Sequence, residues 1–442
     1  MAEIATGALV AEQVISTTVE GGLVAGYAIA QPTVPLKASL KRVAVSELIR
    51  RQWHSINVID GKAYVFGGIT HDGLLAGNEM HQITLPGAKH TNGLDYHAVP
   101  AIGSADDSPV PSPRAGHSAV VAGAKIVIWG GRDEHGNSLN GEAPQLWIFD
   151  TTTLRWSHTP VPDGPRDSQF HHGAALWRGN QLVVYGGFSK PAGAADLRTL
   201  PSLSTIDIET GGWQSHADQT LSPITPPSAI AVVEDKVYTV GAGDRFQSPV
   251  HVYDLASTTT ANKDIASATW TTIQVPANPL VQSPSTPRSG AGLLPVSTGH
   301  GRHYLLYLFG QAASSTKTTS PSDAQLSQAA TADTDSDSNT FANPDSPNSS
   351  LLYSFQLPSH GTSLAAAKDG ARDVVGLDSG AAAWAEVDIA LPTEEYAHEG
   401  KAHPGPRANF ACANVNDKTV VIWGGVDARG VVEGDGWIIG IE

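Results

Sequence analysis

Cysteine is nearly absent from this sequence, since Cys412 is the only one in 442 residues. A disulfide framework is therefore excluded, and a reducing compartment suits the chain. No stretch approaches the ~20 consecutive apolar residues that a membrane-spanning helix needs. The first residues lack a basic segment, and Glu3, Glu12 and Glu20 interrupt any apolar run, so no signal peptide is predicted. We expect a cytoplasmic protein, with secretion of a processed form as the alternative.

Basic residues are also scarce, because 27 Lys and Arg stand against 43 Asp and Glu and the formal net charge is −16. Such a chain repels phosphate backbones and anionic headgroups. Nucleic acid and membrane surfaces are therefore excluded as main partners. The sequence has no P-loop, nucleophile elbow or glycine-rich dinucleotide turn, and its glycines stand where strands end.

What the sequence does contain is one unit repeated six times. The clearest copy runs from Pro113 to Trp156 and holds a Pro-Arg turn, three short strands rich in β-branched and aromatic residues, and the start of a fourth. A Gly pair ends the second strand. The other copies are His54 to Gly68, His172 to Gly187, Ser228 to Gly243, Arg288 to Gln311 and Arg407 to Gly425, each with a later third strand. One such sheet cannot bury both faces, so the copies must pack against each other.

The Pro-Arg turn, the following His117, the Gly pair and the fourth-strand Trp resemble the kelch repeat. Kelch and galactose-oxidase-like proteins are β-propellers, with four-stranded blades around a central channel. The resemblance implies an all-β fold: a six-bladed β-propeller of kelch repeats in a single domain spanning residues 1–442. The chain is similar to solitary kelch-like proteins of fungi.

The two ends of the sequence complement each other. The sixth copy holds three strands before Glu442, and residues 38–46 alternate in polarity like a missing fourth strand. We expect this N-terminal strand to close the last blade, since closure removes exposed sheet edges. Residues 1–37 are predicted to form an extended strap against the ring. Residues 312–350, rich in Ser, Thr, Asp and Ala, are predicted to be a flexible insertion. It is either a lid over one face of the ring or a loop without function, and we favour the loop.

The resemblance implies that ligands bind at the end of the channel where blade-to-blade loops and the loops after the Gly pairs gather. Candidate site residues are those on these loops that the repeat does not require. The predicted catalytic residues are His171, Arg132, Arg245 and His71, and the predicted substrate-binding residues are Trp53, Phe170, Phe410, Phe188, Phe246, Gln311 and Asn409. For Arg132 and Arg245 a rim salt bridge is an equal alternative.

The repeat residues have a structural interpretation instead. His54, His117 and His172 occupy the repeat position and are expected to hydrogen-bond neighbouring blades. The tryptophans on the fourth strands are expected to be packing residues, at positions 156, 213, 270 and 384.

Metal chemistry has little support in the sequence. His398, Glu399 and His403 make half of a ligand set, but they lie in a Pro- and Gly-rich loop. Cys412 falls inside a first strand, without the Tyr and His residues that accompany cysteine at the copper site of galactose oxidase. We therefore expect no metal and no nucleotide cofactor.

Two functions of different classes remain. The first, implied by the fungal resemblance, is a cofactor-free enzyme of specialised metabolism that catalyses a cyclisation or hetero-Diels–Alder cycloaddition of a small organic ligand, which requires orientation and a polarised carbonyl. The second is an interaction module that binds a partner peptide on the same face. An enclosed apolar pocket of ~300–1,000 Å³ favours the first, and a shallow charged bowl favours the second. A monomer is expected in either case.

Overall fold

The computed structural model shows four-stranded antiparallel sheets whose innermost strands follow one another around a central channel. The described residues are 32–86, 95–105, 107–139, 144–200, 202–216, 229–241, 248–256, 270–273, 275, 284, 288–312, 351–390 and 401–442. Each innermost strand contacts that of the next sheet, and the sixth contacts the first. The described residues thus form a closed ring of six blades.

The strands are short and stop at glycines, prolines or turns. Those of the first half are β1 (Lys37–Val45), β2 (Arg51–Gln52), β3 (Ser55–Ile59), β4 (Lys62–Phe66), β5 (Ile69–Thr70), β6 (Met80–Thr84), β7 (Tyr96–Val99), β8 (Ser118–Ala122), β9 (Lys125–Trp129), β10 (Gln145–Asp150), β11 (Arg155–Pro160), β12 (Gly173–Trp177), β13 (Gln181–Tyr185), β14 (Phe188–Ser189), β15 (Arg198–Thr199), β16 (Leu203–Asp207) and β17 (Trp213–His216). Those of the second half are β18 (Ile230–Val233), β19 (Lys236–Val240), β20 (Val250–Asp254), β21 (Thr271–Ile273), β22 (Arg288–Ser289), β23 (Gly292–Gly299), β24 (Arg302–Leu308), β25 (Gln311–Ala312), β26 (Leu352–Gln356), β27 (Trp384–Glu386), β28 (Asp388–Ala390), β29 (Arg407–Ala408), β30 (Ala411–Asn416), β31 (Thr419–Trp423), β32 (Val426–Asp427) and β33 (Asp435–Ile441). A short 3-10 helix (Glu47–Ile49) and helix α1 (Leu364–Val374) complete the described elements.

Blades 1 to 5 run outward from the channel in the order of the chain, and blade 6 takes its fourth strand from the N-terminal side. From the inside out, blade 1 is β3-β4-β6-β7, blade 2 is β8-β9-β10-β11, blade 3 is β12-β13-β16-β17, blade 4 is β18-β19-β20-β21, blade 5 is β23-β24-β26-β27 and blade 6 is β30-β31-β33-β1-β28. The second strands are buried apolar runs, because both of their faces pack against neighbouring blades. Fourth-strand Trp156 packs against Phe149 and Phe66, joining blades 2 and 1.

Strand β1 closes the ring from the N-terminal side. It pairs antiparallel with β33 from Ala38 opposite Ile441 to Val45 opposite Asp435. The predicted six-bladed propeller closed by an N-terminal strand is therefore confirmed. Strand β28 pairs in parallel with the outer edge of β1, an addition that the repeat pattern does not predict. Before β1, the Thr33 hydroxyl donates to the Ser379 carbonyl at 2.7 Å; residues 1–31 of the predicted strap and 313–350 of the predicted insertion lie outside the described residues.

Two kinds of loop meet at one end of the channel, as the fold analogy predicts. The segment before the first strand pairs with the segment after the second strand within one blade, as β2 with β5, β22 with β25 and β29 with β32. Single bridges, Ala115 with Arg132 and Phe170 with Phe188, do the same in blades 2 and 3. We call this end of the channel the mouth.

The arginine of the Pro-Arg turn holds these loops together. The Arg114 guanidinium donates to the carbonyl of Gly130, the first glycine of its own blade's Gly pair, at 3.0 Å. Arg407 makes the same bond to Gly424 at 3.0 Å. Since both arginines are fully buried, these bonds satisfy donors that would be costly to bury unpaired. The repeat arginine is thus structural.

The sequence predicts that all three repeat histidines hydrogen-bond neighbouring blades, and two of them do so. His117 hydrogen-bonds the Ser55 hydroxyl of blade 1 at 2.9 Å, and His172 bonds the Ser118 hydroxyl of blade 2 at 2.7 Å. Each imidazole packs against the first glycine of the Gly pair in the preceding blade, and a Cβ on that glycine would clash with it. His54 lies in the same way against Gly424 of blade 6. There the position of the serine is taken by Ala411, so His54 lacks a hydroxyl partner.

Replacing Ala411 with Ser should therefore stabilise the protein. The register of Ala411 opposite Trp423 matches Ser55 opposite Phe66 and Ser118 opposite Trp129. A hydroxyl there can hydrogen-bond His54, which typically adds about 0.5–1.5 kcal/mol to the free energy of unfolding. Urea unfolding measures the gain. Ala229→Ser is the control. The residue of the next blade that corresponds to His54 is there Ala291, which cannot accept or donate this hydrogen bond, so no gain is expected. Equal effects of the two substitutions would contradict the account.

Helix α1 fills the polar stretch between the third and fourth strands of blade 5. The Ser363 hydroxyl caps its first turn by accepting from the Ala366 amide at 3.1 Å. Arg302 of β24 donates to the Asp369 carboxylate at 2.5 Å, which ties the helix to the blade. The sequence alone does not predict this helix, because the anchoring contact comes from a residue more than 60 positions away.

Candidate functional site

The channel holds a cavity of about 600 Å³ that extends to the mouth. Its wall is the set of six innermost strands, which contribute mostly small and apolar side chains such as Ile56, Ala119, Ala231 and Leu293. Among the described residues that line it there is no Asp, Glu, Lys or Arg. The cavity therefore suits an organic body without net charge at its centre.

Residues with left-handed backbone conformation form a ring around the mouth. Each blade contributes one such residue, except blade 4, whose counterpart lies outside the described residues. Their φ angles are 53° at Trp53, 66° at Gly116, 51° at His171, 62° at Gly290 and 57° at Asn409. Backbone amides link the ring, since Trp53 donates to Asn409, Gly116 to Trp53, His171 to Gly116 and Asn409 to Gly290, over 2.7–3.0 Å. The ring thus fixes the backbone at the mouth.

Two bulky residues in this ring adopt a conformation that favours glycine. Left-handed backbone costs a residue with a Cβ roughly 1–2 kcal/mol, and Gly116 and Gly290 avoid this cost. Trp53 and His171 bear it, and both line the cavity. Strained residues of this kind concentrate at functional sites. The strain therefore marks these two positions within the mouth.

The side chain of Trp53 in blade 1 contacts the side chain of His171 in blade 3. Their ring centroids are 4.8 Å apart with an interplanar angle of 62°. The Arg132 guanidinium lies over the Trp53 ring, 5.0 Å from its centroid. Gly116 makes room for the imidazole, because a Cβ there would come within 2.9 Å of the His171 ring. We call Trp53, Arg132 and His171 the mouth cluster.

The imidazole of His171 is neutral. Its pKa is lowered to about 3, mainly by burial and in addition by the electrostatic influence of Arg132 and His172. A neutral imidazole offers one N–H donor and one acceptor at any pH between 5 and 8. His171 can therefore hydrogen-bond a carbonyl without carrying charge.

The remaining predicted site residues divide by exposure. Asn409 and Phe410 also line the cavity, and Phe410 packs edge-on against Phe309 at 5.6 Å. Phe170 is buried and contacts His171 from behind, with Phe188 beside it. His71 and Gln311 are exposed on the outer rim. Arg245 and Phe246 lie outside the described residues.

Acid should destabilise the propeller through its buried histidines. Burial lowers the pKa of His172 to about 3, against about 6.5 in an unfolded chain. Its contribution to stability is complete above pH 6.5 and is lost as the pH falls towards 3, at about 1.4 kcal/mol per pH unit. His172→Gln keeps a hydrogen-bond donor for Ser118 but cannot titrate. In urea unfolding at pH 7, 6 and 5, its free energy of unfolding should therefore fall less steeply with pH than that of the wild type, by the slope that one titrating proton contributes. The exposed His158, replaced by Gln, is the control; an unchanged slope in His172→Gln would refute this.

The described residues hold no group of three or more His, Cys, Asp and Glu side chains able to share a metal ion. His403 packs edge-on against Phe309 at 6.2 Å and accepts a hydrogen bond from the Gly405 amide at 2.8 Å. His398 and Glu399 lie outside the described residues. Cys412 lines the channel, but burial raises the pKa of its thiol to about 12, so it is not a thiolate at neutral pH.

Comparison with known proteins identifies the class. The family described as "KLHDC2/KLHL20/DRC7 Kelch-repeats domain" matches residues 53–310. This match covers more than half of the chain, and the chain therefore belongs to the kelch-repeat family.

Curated relatives match over part of the ring. Acyl-CoA-binding domain-containing protein 5 of Arabidopsis thaliana is 31% identical over 136 residues, 30% of this chain and 19% of that protein. Kelch-like protein 25 of Homo sapiens is 34% identical over 116 residues, covering 26% and 18%. Host cell factor 2 of Homo sapiens is 31% identical over 186 residues, covering 37% and 22%. The matches thus span about a fifth of the length of these relatives.

Among solved structures, the one titled "Structure of YjhT" matches with a TM-score of 0.50 at 13% identity, over 88% of this chain and 94% of that chain. At this identity the likeness shows the fold alone. No helix in the described part of the chain is long and apolar enough to span a membrane.

Proposed function

We propose that this propeller binds a small organic ligand in its central channel. The observation that carries the proposal is the mouth cluster, where Trp53 and His171 keep a strained backbone that glycine would relieve and present their rings to a cavity of about 600 Å³. That volume falls within the usual range for small-molecule sites. The apolar strands would contact the body of the ligand, and the mouth cluster would contact a polar group.

The polar group that fits best is a carbonyl. His171 is neutral and can donate one hydrogen bond to it, while Trp53 provides an apolar face beside it. Arg132 is placed beside Trp53, where its positive charge adds to burial in lowering the pKa of His171. We assign Arg132 a positioning role in this arrangement.

We further propose that binding in this site promotes a cyclisation or cycloaddition. Such a reaction needs its reacting groups held together, which can lower a barrier by about 7–11 kcal/mol in the best cases, and a donor towards the oxygen that gains charge. The channel supplies confinement and His171 supplies the donor. On an enone substrate that the wild type cyclises, His171→Ala should slow turnover by about 10²–10³-fold.

A partner peptide on the same face is the second candidate. Leu74 of blade 1 and Val431 of blade 6 follow the Gly pairs of adjacent blades and are 65% and 38% exposed. Exposed apolar side chains on neighbouring loops are typical of an interaction surface. Replacing both with Ser should abolish peptide capture and leave small-ligand binding intact.

Calorimetric titration with 2-acetylnaphthalene tests the main proposal. This compound has an apolar bicyclic body and one carbonyl. We expect saturable binding of one molecule per chain, weakened about tenfold in His171→Ala by loss of one hydrogen bond. His158→Ala on the outer strand β11 is the control and should bind like the wild type. Absence of saturable binding by the wild type would sink the proposal.

A further inference from the structure

Asn57 is a polar residue at a position in the channel wall that is apolar in every other blade. It is the third residue of β3, is 4% exposed and lines the cavity. The residues at the same register position in the innermost strands of the other five blades are Val120, Ala175, Ala231, Leu294 and Ala413. At this register position Asn57 therefore carries the one polar side chain of the six blades.

The Asn57 carboxamide has no protein partner within the described part of the chain. The side-chain hydrogen bonds of neighbouring channel residues go elsewhere: Ser55 bonds His117, and the Asn414 amide donates to the Pro295 carbonyl at 2.7 Å. A carboxamide carries two N–H donors and an acceptor, and a molecule that fills the channel would separate them from water, which is unfavourable unless that molecule pairs with them. An apolar side chain of similar shape would suit the fold better. The geometry thus indicates that something in the channel pairs with Asn57.

The distance from the mouth sets the size of that partner. Asn57 of β3 follows Trp53, which precedes that strand, by four residues, so their Cα atoms are separated by at most roughly 13 Å at ~3.3 Å per residue. A molecule that contacts the mouth cluster and Asn57 together must therefore have polar groups at both ends of a body about as long as a bicyclic ring system. Because no charged side chain lines the described wall, a charged group at the inner end would be strongly disfavoured.

We propose that Asn57 hydrogen-bonds a neutral carbonyl, amide or hydroxyl at the inner end of the ligand, so that the site selects neutral molecules with two polar ends. This rests on the proposed function, since it concerns the same channel. The carboxamide suits such a role because it can donate to an oxygen or accept from an N–H without changing charge. Asn57 is thus a specificity-determining residue, acting further along the channel wall than the mouth cluster.

Two matched compounds test this inference in the full-length protein. 2,6-Diacetylnaphthalene has carbonyls at both ends of the bicycle, and 2-acetylnaphthalene has one. By calorimetry, the wild type should bind the diketone about tenfold more tightly than the monoketone, as one added hydrogen bond implies. In Asn57→Leu this ratio should fall to about one. The ratio is measured within one variant, so it does not depend on the fraction folded; Asn57→Ala serves if the leucine variant fails to fold.

The outcomes separate the two proposals. If the wild type binds neither ketone, the proposed function fails. If it binds both and the tenfold preference survives in Asn57→Leu and Asn57→Ala, Asn57 holds only channel water and this inference alone is overturned. Equal binding of the two ketones by the wild type also overturns it.

Discussion

A protein lacking residues 1–46 is expected not to fold as a stable monomer. Strand β1 forms seven register pairs with β33 and carries the outer strand β28. Ala38 of β1 is fully buried in the same core cluster as Trp437, Ile439 and Ile441 of β33. Without β1, blade 6 loses its fourth strand and β33 becomes an exposed apolar edge, which promotes aggregation. The loss should be large because closing the ring involves every blade.

Size-exclusion chromatography and urea unfolding measure this effect. The truncated protein should elute as aggregate or unfold without a cooperative transition. A form lacking residues 1–31 keeps β1 and is the matched control, for which we expect a cooperative transition. Addition of a synthetic peptide with residues 32–46 should restore part of the transition to the shorter form. A soluble, cooperative monomer without residues 1–46 would show that β1 does not close the ring.

Replacing Trp53 with Gly is expected to weaken ligand binding strongly while leaving stability nearly unchanged. Glycine relieves left-handed strain of about 1–2 kcal/mol. The lost contacts with His171 and Arg132 are worth about 1–3 kcal/mol together. These effects largely offset each other in the free energy of unfolding. The ligand, in contrast, loses an aromatic wall, and affinity should fall about 10- to 100-fold.

Thermal melting measures the stability of the variant, and calorimetric titration with 2-acetylnaphthalene measures its affinity. Glu234→Gly is the control, because Glu234 also has left-handed backbone (φ 55°) but lies exposed in the turn between β18 and β19, outside the cavity lining. That variant should change neither melting nor affinity by much. A melting temperature many degrees lower in Trp53→Gly, with affinity unchanged, would make Trp53 a structural residue.

The fold was predictable because the repeat residues have local backbone roles. Each Gly pair takes left-handed backbone at the end of a second strand, and each turn arginine bonds the carbonyl there, as Arg114 does with Gly130. Arg51, Arg288 and Arg407 make the same bond in three other blades, so the requirement is visible as sequence. Helix α1 and strand β28 were missed, because both depend on distant partners, Arg302 for the helix and β1 for the strand.

The candidate site was only partly predictable. Trp53, His171 and Asn409 differ from the repeat, and Gly116 and Gly290 at the same position in other copies indicate that glycine is favoured there. Asn57 was not identified, because a single polar residue in a short strand also fits a solvent-facing position. Its significance needs the register that places it beside five apolar counterparts around one channel.

The crystal structure of the protein with 2,6-diacetylnaphthalene would test the central claim, ligand binding in the channel, most directly. We predict electron density for one molecule between the six inner strands, with its outer carbonyl oxygen within ~3.2 Å of a His171 ring nitrogen. Its second carbonyl should point towards Asn57. An empty channel at saturating concentration, or density confined to the outer rim near Leu74 and Val431, would contradict the account.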